Sequence, residues 1–347
     1  LMSEHIGELL RRQEAAGVAG AGAPMDAADL YGIVVAEWLQ RDQGKHSIRP
    51  EHKPLVMGAL AAAQWNEGVE QWPADRLDAW LPELLAALWP DQYAAVAPAA
   101  LQDDLRTATF IVRVDERRFN FAHRSFLEYF LARFVRDLAA HCAFHPGDDR
   151  LRAAAYALLP QRDFNGVALD FWQALWRARP AEAADPQLAQ TLAVLWGWLQ
   201  TADKERIDAP APASHGVLFD LLAGLGLPAS TNPLSHKVAA NLAPQPFNLR
   251  SAQLIEREWR DLDLSAWPPL DLRSANCLGL HAYDCRFGEV RCNARTNFGQ
   301  SVLRRCTTER FAWNGADRGG MRLRGPHRPP AGALRGPWTQ PVGAMGW

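Results

Sequence analysis

The sequence predicts a multidomain α+β protein: helices, a winged-helix layout, further helices, and a β-solenoid at the C-terminal end. Three observations carry that expectation. Residues 247–325 repeat every five positions. Residues 110–121 alternate as a hairpin and run directly into a helical pattern. Nearly everything else before residue 246 has helical periodicity. The expected divisions are 1–52, a helical domain remnant; 53–138, the winged helix; 139–246, an α-helical linker; 247–325, the solenoid; and 326–347, an irregular tail.

The first elements are helices. Met2 to Val18 is helical in pattern and is broken between Gly17 and Pro24. Asp26 is placed to cap the next helix, where Leu30, Ile33, Val34 and Trp38 form one apolar face. Gly44 follows as a C-terminal stop. Leu55 to Trp65 reads as a helix, and so does Arg76 to Leu88, interrupted by Pro82. Leu101 to Arg106 reads as the end of a further short helix.

At Thr107 the texture changes. Phe110, Val112 and Val114 alternate, Asp115-Glu116 makes a turn, and Phe119 and Phe121 alternate again. Ser125 and Glu128 have capping-box spacing for the helix that follows. Phe126, Tyr129, Phe130 and Phe134 form its core stripe. Residues 139–246 hold Trp172, Trp176, Trp196, Trp198 and Leu218 to Leu225 as core candidates, with joints near Pro180 and Pro210.

The repeat divides into fifteen blocks: FNLRS, AQLIE, REWRD, LDLSA, an inserted WPP, then LDLRS, ANCLG, LHAYD, CRFGE, VRCNA, an inserted Arg295, then TNFGQ, SVLRR, CTTER, FAWNG, ADRGG and MRLRG. The central position is apolar in all but Thr308 and Arg318, and the first is small or apolar in all but Arg257. Two inward positions in five, at so short a period, mean a solenoid whose units bury a face only by stacking. At four blocks per coil it has fewer than four coils. Blocks after Cys292 are degenerate, and the Pro/Gly/Trp-rich tail has no core pattern.

Composition bounds function. The 347 residues are 48% hydrophobic and 22% charged, with net charge −2, so a core is affordable and no whole-chain electrostatic footprint appears. There are 14 Trp. Of five cysteines, Cys277, Cys285, Cys292 and Cys306 fall on inward repeat positions, which reads as core packing rather than metal ligation. Scattered free thiols, no signal peptide and no apolar run near ~18 residues point to the cytoplasm and not to a membrane. No G-x-S-x-G, H-E-x-x-H or spaced carboxylate pair appears, so the chain is not expected to be an enzyme. The chain opens Leu1-Met2 inside a helical pattern and ends abruptly, which reads as a fragment with a truncated or out-of-frame C-terminus.

Two segments, LYGIVVAEWLQRDQGKH (30–46) and DLRTATFIVRVDERRFNFAHRSFLEYFLAR (104–133), resemble the regulatory half of bacterial NACHT-type signalling NTPases of the STAND class. The five-residue blocks, ANCLG and LDLRS above all, resemble the pentapeptide repeats that some of these carry. The resemblance implies a right-handed quadrilateral β-helix as a ligand sensor, behind a winged helix and an upstream P-loop domain. It implies ADP or ATP with Mg in the intact protein, contact with that NTPase domain, an unknown protein ligand at the repeats, and homo-oligomers on activation. A bacterial defence or stress-signalling role goes with it. The family's winged-helix His that contacts the nucleotide phosphate matches His123. The chain departs from the family in having no G-x-x-x-x-G-K-[S/T] and no Walker B strand, so no cofactor is expected in this chain itself.

His123 precedes a helix N-terminus, where backbone N–H groups favour an anion; the alternative is a His bonded to backbone. Arg124 adds to the anion site or is a solvated surface Arg. Glu128 is assigned to the capping box, Asp42, Lys45 and His46 to a polar helix end or a nucleotide-facing edge, and Arg106 and Thr107 to a structural lead-in. Arg286, Arg291, Arg295, Arg304, Arg305 and Arg310 make the repeat outwardly basic. That argues against DNA mimicry and leaves two uses for a stand-alone module: a protein partner, or nucleic acid, which is the less expected.

Overall fold

The computed structural model describes residues 26–324 apart from 42–43, 45, 107–109, 116, 178–185, 201–212, 224, 226–246 and 266. The expected helix Met2–Val18, the break after it, Asp42, Lys45, Thr107, the joints near Pro180 and Pro210 and the tail lie outside the described residues. The chain divides into two compact units, the first ending at Leu195 and the second beginning at Trp196. No helix among the described residues is long and apolar enough to cross a membrane.

The first unit is helical around a three-stranded antiparallel sheet. Helix α1, Ala27–Arg41, starts as expected: Asp29 N–H donates to Asp26 Oδ1 at 2.9 Å, and Val34 is buried. Trp38 packs its ring against Phe110 and Phe126. Helix α2, Lys53–Glu67, is buried along most of its length and ends at Gly68, whose φ of 72° lets Gly68 and Val69 N–H close the last turn on Trp65 and Gln64 carbonyls.

Helix α3, Ala74–Leu88, differs from expectation by running unbroken through Pro82. Proline frees the carbonyl four residues back. The Gln102 side-chain amide donates to that carbonyl, on Asp78, at 3.4 Å, and Leu77, Leu81, Leu84, Leu85 and Leu88 anchor the buried face. Short helices α4, Pro90–Tyr93, and α5, Pro98–Arg106, follow.

The hairpin forms from β2, Ile111–Arg113, and β3, Arg118–Phe121, with Ile111 opposite Phe121 and Arg113 opposite Phe119. Asp115 closes the turn by accepting from Arg117 and Arg118 N–H, both at 2.9 Å. A third strand, β1, Gln71–Pro73, pairs with β3 and is not legible in the sequence, because a three-residue strand ending in Pro has no alternation to show. The expected inward stripe of β2 is corrected. Phe110 and Ile111 are buried while Val112 is 42% exposed. Pairing Ile111 with the inward Phe121 sets the phase, and a one-residue shift moves every side chain to the other face.

Helix α6, Arg124–Phe144, buries Phe126, Tyr129, Phe130 and Phe134 as expected. It crosses α2 closely at Gly58, where a Cβ would lie 2.7 Å from Phe134 Cβ. Helices α7, Asp149–Ala157, and α8, Gly166–Arg177, are capped by Asp148 and Asn165. The division between units falls within α9, Pro186–Gln200.

The second unit contains α10, Ala213–Ala223, and a parallel β-solenoid of about four turns. One sheet stacks β5 (Glu258–Arg260), β8 (His281–Tyr283), β10 (Val302–Arg304) and β12 (Arg322–Arg324). Another stacks β4 (Phe247–Asn248), β7 (Leu270–Asp271), β9 (Arg286–Arg291) and β11 (Thr307–Ala312), with β6 (Asp263–Leu264) on β9. Bridges link Gln253, Asn276, Asn297 and Asp317 along the stack. Partners Phe247, Leu270, Val290 and Phe311 stand 23, 20 and 21 residues apart, so WPP and Arg295 are insertions in a 20-residue coil.

Both inward positions are buried in nearly every block from Phe247 to Leu303, the exception being Arg257. From Cys306 onward burial thins, and Leu323 is 41% exposed. The fifth position turns many of the corners: Ser251, Glu256, Asp261, Ser274, Asp284, Gln300 and Arg305 all have φ between 53° and 62°. Adjacent coils are also tied by amides, Asn276 Nδ2 donating to Gln253 Oε1 at 3.2 Å and Asn297 Nδ2 to Asn276 Oδ1 at 3.1 Å.

Candidate functional site at the start of helix α6

The hairpin delivers the chain to α6 through His123, which is extended at φ −152° and is the N-cap. Its Nδ1 accepts from Ser125 N–H at 3.2 Å and lies 2.6 Å from Ser125 Oγ. Ser125 Oγ in turn hydrogen-bonds Tyr31 Oη from α1. With Nδ1 engaged at the cap, Nε2 is the ring nitrogen the cap does not use. His123 is exposed. The residue is therefore bonded to backbone and, through the same bond, oriented with Nε2 outside the cap.

The expected capping box does not form, because His123 takes the Ser125 N–H and Glu128 is used elsewhere. Glu128 is buried and accepts from Arg124 Nε at 3.1 Å and Asn165 Nδ2 at 2.5 Å. Arg124 also donates to Glu70 at 2.7 Å, so its charge is shared between two carboxylates rather than held open for an anion. His46 lies 3.3 Å from Asp104 Oδ1, and Asp104 Oδ2 accepts from Ile48 N–H at 2.7 Å. That pairing pins a loop end to α5. It does not bring His46 to His123.

These residues leave one ring nitrogen, His123 Nε2, outside the cap. Arg124 is engaged, and no cluster of three or more acids, histidines or cysteines able to hold a cation occurs among the described residues.

The second unit holds a site that Arg257 had signalled by breaking the repeat. Arg257 sits at an inward position 3.2 Å from Asp220 of α10, and Trp259 Nε1 donates to Asp220 at 3.0 Å. Burial pushes the Asp220 carboxyl up to about 7, against the pull of the Trp259 hydrogen bond, and lowers Arg257 to about 10. His215 of α10 packs against the Asn248 carbonyl at 2.6 Å. Helix α10 thus meets the first coil through three polar contacts, at His215, at Asp220 with Trp259, and at Asp220 with Arg257.

The repeat cysteines are core side chains. Burial raises the thiols of Cys277 and Cys292, the latter to about 12. Cys306 differs: it is partly exposed, and its thiol donates to the Ala282 carbonyl on the coil before at 3.4 Å.

The outer arginines separate into two sets. Arg286 faces Asp263 at 3.7 Å, Arg291 faces Glu289 at 2.8 Å, and Arg305 pairs with Asp284. Arg304 and Arg310 are exposed and make no ion pair among the described residues. No model of a known protein family matches the chain, and no curated protein matches it.

Proposed function

We propose that the chain is the regulatory and sensing portion of a NACHT/STAND-type signal-transduction ATPase. The first unit is its winged helix with flanking helices, and the repeat is a right-handed quadrilateral β-helix that binds a ligand. The right hand follows the general preference of crossovers between parallel strands. In this reading the nucleotide, with Mg, sits in an upstream NTPase domain, and His123 reaches its phosphate. Ligand on the repeat biases a two-state equilibrium towards an open, homo-oligomeric form in the cytoplasm, in bacterial defence or stress signalling.

The observation that carries the proposal is the cap that His123 Nδ1 makes on α6. Capping α6 through Nδ1 leaves Nε2 outside the cap beside a helix N-terminus, a place that favours an anion. Retention of ADP by the protein carrying its nucleotide-binding domain, compared with His123→Ala, tests it. A lost bond to a charged group costs about 1.5–3 kcal/mol, so retention should fall about tenfold or more. Unchanged retention overturns the reading.

A stand-alone binding module is the second reading. It is favoured by the second unit, whose solenoid meets its own helix, α10, through polar contacts.

A further inference from the structure

The sheet β5–β8–β10–β12 sorts its outward side chains into two columns. Register places Arg260, Tyr283, Arg304 and Arg324 in one, and Glu258, His281, Val302 and Arg322 in the other. Like charges directly opposite on neighbouring strands destabilise a sheet. Elsewhere in this solenoid an acid is within ion-pair distance of the arginines on the next coil: Asp284 meets Arg305, Asp263 meets Arg286, and Asp271 meets Arg250 at 2.6 Å. Arg304 and Arg324 differ, standing directly opposite each other with Arg322 on the same strand. All three are exposed and make no ion pair among the described residues.

Asp284 also attracts Arg304, but that one carboxylate already pairs with Arg305, so the column keeps an excess of cations, and such a local imbalance marks a functional surface. The missing partner is anionic and extended, because the cations lie along a column with strand spacing of about 4.8 Å. The same column carries an aromatic. Tyr283 is part-exposed, with the Arg260 guanidinium over its ring at 4.4 Å. Open sheet faces that alternate cations with aromatics suit unstacked bases, whereas the grooves of a duplex demand an inserted helix or ribbon.

We propose that this face binds single-stranded nucleic acid, with Arg304, Arg322 and Arg324 on phosphates and Tyr283, backed by Arg260, stacking a base. The proposal stands independently of the nucleotide-switch reading.

Fluorescence anisotropy of the full chain with a labelled homopolymer single strand, over a range of salt, tests it. Competitors are a duplex of equal length and a polyphosphate chain. Arg304→Gln with Arg324→Gln should weaken binding at least tenfold and reduce the log–log salt slope by about 1.4, two contacts at ~0.7 each. Tyr283→Ala should cost about tenfold on the single strand and leave polyphosphate unaffected. Thermal melting of each variant, all at exposed or part-exposed positions, checks that the fold is intact. Absence of binding at low salt, or binding indifferent to Arg304 and Arg324, overturns the proposal. Duplex or polyphosphate competing as well as the single strand does the same.

Discussion

The two units bury apolar side chains by opposite means. In the solenoid each buried residue is named by its place in a five-residue block, and its neighbour above is the residue one coil on. In the helical unit, burial depends on which face a distant element covers. Phe130 of α6 is packed by Phe110 and Phe121 from the hairpin, and Gly58 of α2 is small because Phe134 lies against it. A periodic architecture therefore makes contacts local in pattern, while a globular one makes them a property of the whole.

The largest losses are expected where packing is tightest. Phe130→Ala should cost about 3–5 kcal/mol in the first unit, since its neighbours come from several elements and cannot collapse together. Denaturant midpoints read separately from each unit would check this. An equal loss in the second unit would show the two are not independent.

Arg257→Ala should cost less, about 1–3 kcal/mol, because it removes the partner of a part-buried Asp220 that can take up a proton. Replacing both, Asp220→Leu with Arg257→Met, should recover most of that loss. If the double variant is as unstable as the single, the pair does not act as a unit.

The same pair has a pH signature. Asp220 is raised from about 3.9 in the unfolded chain to about 7 in the fold. Its contribution to stability is therefore complete below pH ~4 and is lost as pH rises through about 7. The thermal midpoint of the second unit should fall over that window, and Asp220→Asn should flatten the fall. A midpoint that rises there would contradict the burial.

The N-cap effect is smaller. His123→Ala should lose about 1 kcal/mol of stability in the first unit, and His123→Asn should restore it while still lacking Nε2. The corners give the smallest change: Glu256, at φ 55°, should gain up to about 1 kcal/mol as Gly. Hydrogen exchange at the neighbouring coils would show it.

Much of the fold was legible. Asp26 as a cap, the paired strands around Asp115, the Phe stripe of α6 and the two inward positions of the repeat all follow from short-range chemistry. The features that short-range chemistry does not fix share one cause. Val112 points outward because β3 chose the register. Pro82 is tolerated because Gln102 reaches the carbonyl it frees. Ser125 and Glu128 are diverted from a capping box by His123, Asn165 and Arg124. Of the candidate site, the position of His123 was readable, but the engagement of Arg124 by Glu70 was not, since 54 residues separate them.

The sequence by itself determined the solenoid's period, its insertions at WPP and Arg295, and the inward cysteines, because stacking repeats turn sequence spacing directly into spatial contact. Only the tertiary structure decided why Arg257 breaks the pattern. It also decided which arginines are neutralised and which stand unpaired in one column. Those outcomes depend on residues brought from α10 or from other coils, and long-range partners leave no periodic trace in the chain.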